Sequence, residues 1–344
     1  MRVWPALALG VACGSQAAGN DPAAWLQRAG QASRSASYAG TFVHTNGDRT
    51  STVRITHVNA NGEEHERVEA LDGPSYEIVR RNDDMLCQFP DAKTVRLDRR
   101  INAKFFPSIL SAAPAAIAAS YDVKLGKTER VLGFDCQWIL LDPRDALRYA
   151  HRLCSEIATG LVLRSKVLNA EKHVIEQYTF TDLKIGSQAA RFDLKSVFES
   201  RVKRWLTDSQ PREEARSVDT GWTVANPPTG FQKVTELRRT MPGKSQPVSQ
   251  LVFSDGLATL SVFVEPNGTP QRTSEASNED GTTTFFVRPM GDNLVTVLGE
   301  VPLATAQQVA RSVGRSGPAD NRAQAPDSGA RGQALDSGPR GQAR

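Results

Sequence analysis

The sequence predicts an α+β fold made mostly of antiparallel strands, with a large first domain followed by a smaller α+β domain. Short segments that alternate apolar and polar residues recur along the chain, and tight turns join consecutive segments. Patterns typical of helices are few. The stretch from Asp208 to Arg216 is polar, contains a proline and lacks apolar periodicity, so it divides the pattern into two parts.

The N-terminus has the features of a secretory signal. Arg2 precedes a short apolar stretch, and small residues follow as far as Ala18. We therefore expect residues 1–18 to be removed and the mature protein to reside in the periplasm. Cys13 opens the alternative of a lipoprotein, but Gly10 stands where a lipoprotein signal usually carries leucine, so the ordinary signal is the favoured interpretation.

The first domain, predicted over residues 19–190, begins with a helix and continues as strands. Asp21 suits the N-cap of that helix, and Pro22 suits its first position, where no backbone donor is needed. The alanine-rich segment 105–119 contains two prolines, which favours short helical turns over one long helix. Strands are expected at residues 42–44, 52–56, 66–71, 76–80, 85–89, 94–97, 122–125, 136–141, 160–167 and 174–181.

A linker is predicted within residues 191–220, and the second domain over residues 221–314. Four strands are expected in that domain, and Thr305 is expected to cap a last helix. Residues 315–344 are almost without apolar side chains and contain an eight-residue motif twice, so we expect a disordered tail. The second-domain strands are predicted at residues 248–253, 258–264, 283–288 and 293–297.

Charge and cysteine content limit the possible functions. The formal net charge is only +4, and the tail holds five arginines against three aspartates. The rest of the chain is therefore nearly neutral, which argues against a dedicated nucleic-acid surface.

Cys87, Cys136 and Cys154 remain after the signal, an odd number that allows one disulfide in an oxidising compartment. The spacing does not reveal which two of them pair.

No pattern in the sequence indicates a catalytic, metal or cofactor site. His57 and His65 flank a turn-like segment and would make a metal site with nearby glutamates, but a solvated hairpin tip is the favoured interpretation. His151 and Cys154 are three residues apart, yet no orienting partner for a catalytic pair is evident. We therefore predict a non-enzymatic binding protein without a cofactor.

Motifs in both domains resemble those of the RseB/MucB family, and the resemblance spans residues 20–314. No single motif is specific, but their number and order are. The cysteines after the signal and the repetitive tail are not family features. The similar segments are Tyr38–Val43, Glu69–Pro74, Cys87–Asp91, Thr159–Leu161, Leu168–Asn169, Gly221–Trp222, Pro228–Phe231, Ser254–Leu257, Ser261–Phe263 and Gly299–Pro302.

The resemblance implies a first domain like the lipoprotein carriers LolA and LolB, a half-open antiparallel barrel with helices and an apolar concavity. It also implies negative regulation of a sigma-E-type envelope stress response. The family binds the periplasmic part of a membrane anti-sigma factor and protects it from proteolysis, and lipid or lipopolysaccharide fragments release it. The alternative is a periplasmic lipid or lipoprotein carrier, and a homodimer is left open.

Two groups of residues are candidates for these binding functions. Aromatic side chains of the first domain would line a lipid pocket, with plain core packing as the alternative. Basic and aromatic residues near the linker and in the second domain would bind the partner, with a solvated helix face and an ordinary core as the alternatives. The lipid candidates are Phe42, Phe89, Phe105, Phe106, Tyr121, Trp138 and Phe180. The partner candidates are Arg201, Lys203, Arg204, Trp205, Phe231, Phe253 and Phe263.

Overall fold

Two open antiparallel sheets form the protein in a computed structural model of the chain. The predicted signal and almost all of the predicted tail lie outside the described residues. No helix of the described part is long and apolar enough to cross a bilayer. The structure describes residues 19–89, 94–99, 106–110, 112–208, 216–241, 244, 246–268 and 272–316.

The first sheet has eleven strands in the order β6-β5-β4-β3-β2-β1-β11-β10-β9-β8-β7. Pairing of β1 with both β2 and β11 joins its two halves. Within the described residues the edge strands β6 and β7 do not pair with each other, so the sheet is open, which confirms the predicted fold class. The strands are β1 Tyr38–Asn46, β2 Arg49–Ala60, β3 Glu63–Ala70, β4 Glu77–Arg81, β5 Asp84–Phe89, β6 Thr94–Arg99, β7 Tyr121–Val131, β8 Phe134–Pro143, β9 Ala150–Glu156, β10 Val162–Leu168 and β11 Val174–Ile185.

Helices cover this sheet in a way that follows from their sequences. Helix α1, Pro22–Ser35, begins as predicted, because the Asp21 side chain accepts a hydrogen bond of 3.0 Å from the backbone of Ala23. Its apolar face packs into the main core together with α2, Pro114–Ser120. The core lies between these helices and the sheet.

The segment predicted as a linker contains ordered structure. A 3-10 helix, Gly186–Arg191, is followed by α3, Leu194–Asp208. Phe198 of α3 packs with Val79 and Leu86 in a small separate core against the first sheet. The chain therefore stays docked on the first domain for several turns before it enters the second. The predicted domain boundaries themselves stay predictions.

The second sheet has seven strands in the order β12-β14-β15-β16-β19-β18-β17, and β13 pairs separately with β20. Helix α4, Leu303–Arg311, packs Ala306 and Val309 against it. The strands are β12 Arg216–Ser217, β13 Trp222–Val224, β14 Gln232–Arg239, β15 Val248–Ser254, β16 Thr259–Pro266, β17 Ala276–Asp280, β18 Thr283–Met290, β19 Asn293–Gly299 and β20 Val313–Arg315.

The predicted cap of the last helix was wrong. Helix α4 begins at Leu303, after Pro302 in the N-cap position, so Thr305 lies within its first turn. The Thr305 hydroxyl donates instead to the backbone oxygen of Leu147 in the first domain, at 2.8 Å. The side chain that the local pattern assigned to the helix cap therefore forms a contact between the domains instead.

Candidate functional site: the domain junction

The two domains meet around a buried ion pair. Arg148, in the loop between β8 and β9, places its guanidinium 2.7 Å from the carboxylate of Asp255 in the turn between β15 and β16. Neither side chain has any solvent exposure. The Tyr121 hydroxyl donates to the same Asp255 oxygen at 3.1 Å. Burial, and next the charge of Asp255, raises the pKa of Tyr121 well above its ordinary value, so the hydroxyl remains a donor.

Loops of the second domain fit closely onto the first domain around this pair. Leu257 follows Asp255 in the chain and is part of the main core of the first domain. Gly256 has φ +97°, and a Cβ there would lie 2.3 Å from the Cβ of Ala112. The backbone oxygen of Thr229 accepts a hydrogen bond from Arg148. Two of the motifs that resemble the RseB/MucB family, residues 228–231 and 254–257, thus form the docking surface.

A second contact joins the turn between β1 and β2 to the turn between β17 and β18. The Thr282 amide donates to Asn46 Oδ1 at 2.9 Å, and its hydroxyl donates to Glu176 Oε2 at 3.2 Å. Arg49 forms an ion pair with Asp280 beside them. This second contact therefore combines a backbone hydrogen bond, a buried carboxylate and a surface ion pair.

A cleft of about 750 Å³ lies at the junction of the two domains. Most of its wall comes from the β8–β9 loop and the β10–β11 hairpin of the first domain, and residues 279, 281 and 302 of the second domain complete it. The lining carries positive and negative side chains together with proline, tyrosine and aliphatic groups. The cleft is therefore neither purely apolar nor of a single charge sign.

Three of the seven lipid-pocket candidates lie together. Phe106 contacts Phe42 and Phe180 at ring-centroid distances of 5.1 and 5.0 Å, and it stacks on Tyr178 at 5.2 Å. We call these four residues the aromatic cluster. Phe42, Phe106 and Phe180 are all buried in the packed core. As the structure stands, they occupy the space that a ligand would need.

The other lipid candidates lie apart from the aromatic cluster. Tyr121 belongs to the domain junction described above. Trp138 is half-buried and donates from its ring nitrogen to Glu129 at 2.7 Å. Phe89 is 38% exposed beside Tyr76. Phe105 lies outside the described residues. Among the six candidates that the structure describes, the residues are thus not gathered around one cavity.

The partner candidates on α3 include charged groups at the surface. Lys203 and Arg204 are exposed, whereas Arg201 is half-buried and pairs with Glu77 of β4 at 3.1 Å. The side chain of Trp205 lies outside the described part of the chain. The exposed basic groups are therefore held on a helix that is itself anchored to the first sheet.

The three phenylalanines proposed as partner residues in the second domain lie in two environments. Phe231 and Phe253 are buried in its core, and the ring of Phe231 also faces the Arg148 guanidinium at 5.2 Å. Phe263 is half-buried on the opposite face of the sheet, which also carries the exposed side chains of Leu298 and Phe285. Of the three, only Phe263 lies on a face from which a partner could be contacted directly.

The tip of the histidine hairpin is exposed at residues 60–62, as the favoured interpretation has it, but His57 and His65 themselves are buried. His57 is fully buried; its Nδ1 lies 2.8 Å from the backbone oxygen of Ala36, and its Nε2 lies 3.8 Å from Glu64. Arg80 and Arg34 pair with that glutamate. The end of α1 covers the hairpin, which local sequence could not indicate. No group of three or more ligands that could hold a metal occurs among the described residues.

The structure also resolves the cysteine pairing that the sequence left open. Cys136 of β8 and Cys154 of β9 form a disulfide, with their Cα atoms 5.4 Å apart, and Cys87 is a buried thiol. The disulfide removes Cys154 as a thiolate partner for His151. The bond connects the two strands that flank the loop of Arg148.

Comparison with known proteins identifies relatives of the whole two-domain chain. The model of the MucB/RseB N-terminal domain matches residues 21–198, and that of the MucB/RseB C-terminal domain matches residues 216–314. The sigma factor AlgU regulatory protein MucB of Pseudomonas aeruginosa is 32% identical over 299 residues, covering 85% of this chain and 90% of that protein. The sigma-E factor regulatory protein RseB of Haemophilus influenzae is 26% identical, with coverages of 84% and 89%.

Solved structures of one relative match over nearly the same region. The complex of Pseudomonas aeruginosa MucA and MucB contains a chain that is 30% identical, with a TM-score of 0.69 and coverages of 86% of this chain and 99% of that one. A second crystal structure, of MucB in complex with MucA(peri), gives 30% identity, a TM-score of 0.67 and coverages of 86% and 100%. Both structures contain the relative together with its bound partner.

Proposed function

Because this chain belongs to the MucB/RseB family, we propose that it is a periplasmic negative regulator of a sigma-E-type envelope stress response. It acts without catalysis, by binding the periplasmic domain of a membrane anti-sigma factor. The observation that carries the proposal is the match of both domains, over 86% of the chain, to a relative whose structure was solved with MucA bound. Bound in this way, the partner is protected from proteolysis.

The partner surface in this proposal comprises exposed and half-buried groups that both domains contribute. Lys203 and Arg204 of α3 supply positive charge, and Phe263 supplies an apolar contact on the second sheet. Arg201 adds a third positive charge on the same helix, and Trp205 is proposed as a partner residue from the sequence. Phe231 and Phe253 act indirectly, since they hold the core that shapes this surface.

The lipid signal in this proposal acts on the aromatic cluster. An acyl chain enters only if Phe106 moves away from Phe42 and Phe180, because these rings now fill the site. A ligand shifts an equilibrium only by its differential affinity for two states. The lipid must therefore prefer the opened cluster, and the opened form must bind the partner less tightly.

The test is a titration of the chain from residue 19 onward against the periplasmic domain of its host's anti-sigma factor. Submicromolar binding, with slower cleavage of the bound partner by a protease, is the expected result. Arg204→Glu should weaken binding about tenfold, in the range of an interface hot spot. Lys127→Glu on the exposed part of β7 is the matched control and should have no effect.

Two results would contradict parts of this proposal. Equal loss of binding in the Arg204 and Lys127 variants would refute a partner site on α3. The loss would then follow from the change in net charge and not from the position of Arg204. No binding by the unmodified chain, together with uptake of lipid or lipoprotein, would favour the alternative of a carrier. A carrier has no evident use for the second domain, and for that reason the regulator is preferred.

A further inference from the structure

Tyr178 links the aromatic cluster to the second contact of the domain junction, because it bonds to Glu176 of that contact. Its ring lies between those of His44 and Phe106, stacked on them at 4.0 and 5.2 Å. Its hydroxyl donates to Glu176 Oε1 at 3.1 Å. The other oxygen of that carboxylate accepts the hydrogen bond from Thr282 of the second domain, at 3.2 Å. A continuous set of contacts thus leads from the first-domain core to the second domain.

We propose that Glu176 is a positioning residue that couples the packing of the aromatic cluster to the docking of the second domain. The inference rests on the proposed function and deepens it, because it identifies how an acyl ligand in one domain changes the other. Glu176 itself contacts neither the lipid nor the anti-sigma factor.

The environment of Glu176 makes its contacts interdependent. The side chain is only 9% exposed, so water replaces a lost donor poorly. Besides Tyr178 and Thr282, the ring nitrogen of His44 lies 2.9 Å from its Oε1. These three groups come from β1, β11 and the β17–β18 turn. Movement of any one of them changes the hydrogen bonds that the buried carboxylate accepts, and the other two groups must then adjust.

The tyrosine hydroxyl is suited to this function because it remains protonated. Burial first, and then the nearby charge of Glu176, raises the pKa of Tyr178 well above its ordinary value. The hydroxyl therefore always presents a proton to the carboxylate. The hydrogen bond to Glu176 can therefore change only when the tyrosine ring moves. Stacking on Phe106 controls the position of that ring.

The second-domain turn has little room to absorb such a change. Gly281 has φ +58°, and a Cβ there would lie 2.6 Å from the backbone nitrogen of Gly47. The amide of Thr282 is held by Asn46 at 2.9 Å. Ile175 and Gly281 also line the junction cleft. A shift of Glu176 should consequently alter the edge of that cleft as well as the turn.

Hydrogen exchange measures the coupling without a ligand or a partner. Tyr178→Phe keeps the ring and removes the donor to Glu176. We expect exchange at the Thr282 amide to accelerate about tenfold. The amide of Thr305, at the other interdomain hydroxyl contact, should stay within twofold. Thr305→Val serves as the matched variant, since it removes an interdomain hydroxyl bond that does not involve Glu176.

A double-mutant cycle separates coupling from simple loosening. Tyr178→Phe and Thr282→Val should have a combined effect on junction exchange that is clearly smaller than the product of their separate effects. Glu176→Gln, which keeps an acceptor, should retain part of the coupling, whereas Glu176→Ala should abolish it. Tyr178→Phe combined with Thr305→Val should behave independently.

Each contrary result counts against the coupling. Unchanged exchange at Thr282 in Tyr178→Phe, equal acceleration at Thr305, or independent effects in the cycle would each overturn it. The proposed function fails separately, when the unmodified chain does not bind the anti-sigma domain. A chain that binds its partner but shows no exchange coupling overturns the role of Glu176 alone.

Discussion

At the scale of single residues, the stability of the domain junction depends on both members of the buried ion pair. Arg148 and Asp255 have both lost their contact with water and compensate each other, and Arg148 also pairs with the partly exposed Asp145 at 3.0 Å. Such a pair adds little net stability while intact, because desolvation offsets the attraction between the charges. Removal of one member is costly, since the other charge then remains buried without its partner.

We therefore expect Asp255→Ala to lower the free energy of unfolding by about 3 kcal/mol, the lower end of the range for a broken buried pair, because Arg148 keeps its pair with Asp145. Denaturant titration of the variant against the unmodified chain measures the loss. The control is Asp122→Ala, which removes an ion pair with Lys124 at the surface and should have a small effect. Similar losses in the two variants would show that the junction pair is not a buried, interdependent one.

Glu64 should make stability depend on pH in the acidic range. Burial opposes its ionisation, but the nearby His57 ring and the hydrogen bonds from Arg80 and Arg34 outweigh that effect and hold its pKa well below the ordinary 4.5. Because the pKa is lower in the folded state, the contribution of Glu64 is complete above about pH 4.5 and is lost as the pH falls below it.

Glu64→Gln tests this assignment, because the variant cannot ionise at that position. The loss of stability between pH 7 and pH 3.5 should be smaller in Glu64→Gln than in the unmodified chain, even if the variant is less stable overall. Unfolding midpoints at the two pH values provide the comparison. An identical acid dependence in both proteins would assign it to other carboxylates.

At the scale of elements, the turns, caps and strands that the sequence predicted correctly are those determined by residues nearby in the chain. The hairpin of β4 and β5 was expected at its turn, where Asn82 adopts φ +50°, and α1 begins at its predicted cap. Alternation of side chains was sufficient to place strands but not to order them. It also could not decide which aromatic residues face a cavity, because packing helices close the concave face.

Residues distant in sequence explain most of what was missed in the candidate site. Arg148 and Asp255 are 107 positions apart, and each is in a polar turn that by itself indicates solvent exposure. His57 of the histidine hairpin is buried where the end of α1 folds over it. The motifs at residues 228–231 and 254–257 did carry a signal, since glycines and an aspartate in turns resembled the family, but their docking function appears only in three dimensions.

The Cys136–Cys154 disulfide should stabilise the strand pair of β8 and β9. It closes a loop with a sequence separation of 18, for which restriction of the unfolded chain contributes about 3 kcal/mol. We expect a reductant to lower the unfolding midpoint of the unmodified chain. A variant with both cysteines changed to serine should start at the lower midpoint and not respond to the reductant. A reductant response in that variant would assign the effect to something other than this bond.

At the scale of the whole molecule, the orientation of the domains depends on close approach of two backbones. Gly256 fits against Ala112 only because it lacks a Cβ, and its neighbours in the turn supply Asp255 to the ion pair and Leu257 to the other domain's core. A side chain at position 256 should push the turn away and withdraw these groups together. The expected consequence is a change in domain arrangement rather than unfolding of either sheet.

Gly256→Ala should therefore increase the radius of gyration in solution scattering and expose the junction loops to proteolysis. Gly291→Ala is the matched control, since Gly291 also has a positive φ in a turn of the second domain, but a Cβ there would have nothing within 4 Å. Both variants place a side chain at a positive φ, with more backbone strain at Gly256 (φ +97°) than at Gly291 (φ +56°), but only Gly256→Ala adds the interdomain clash. If both variants keep the compact arrangement, the remaining contacts at Thr282 and Thr305 are sufficient to hold the domains. If both expand, strain within the second domain, and not its docking, sets the arrangement.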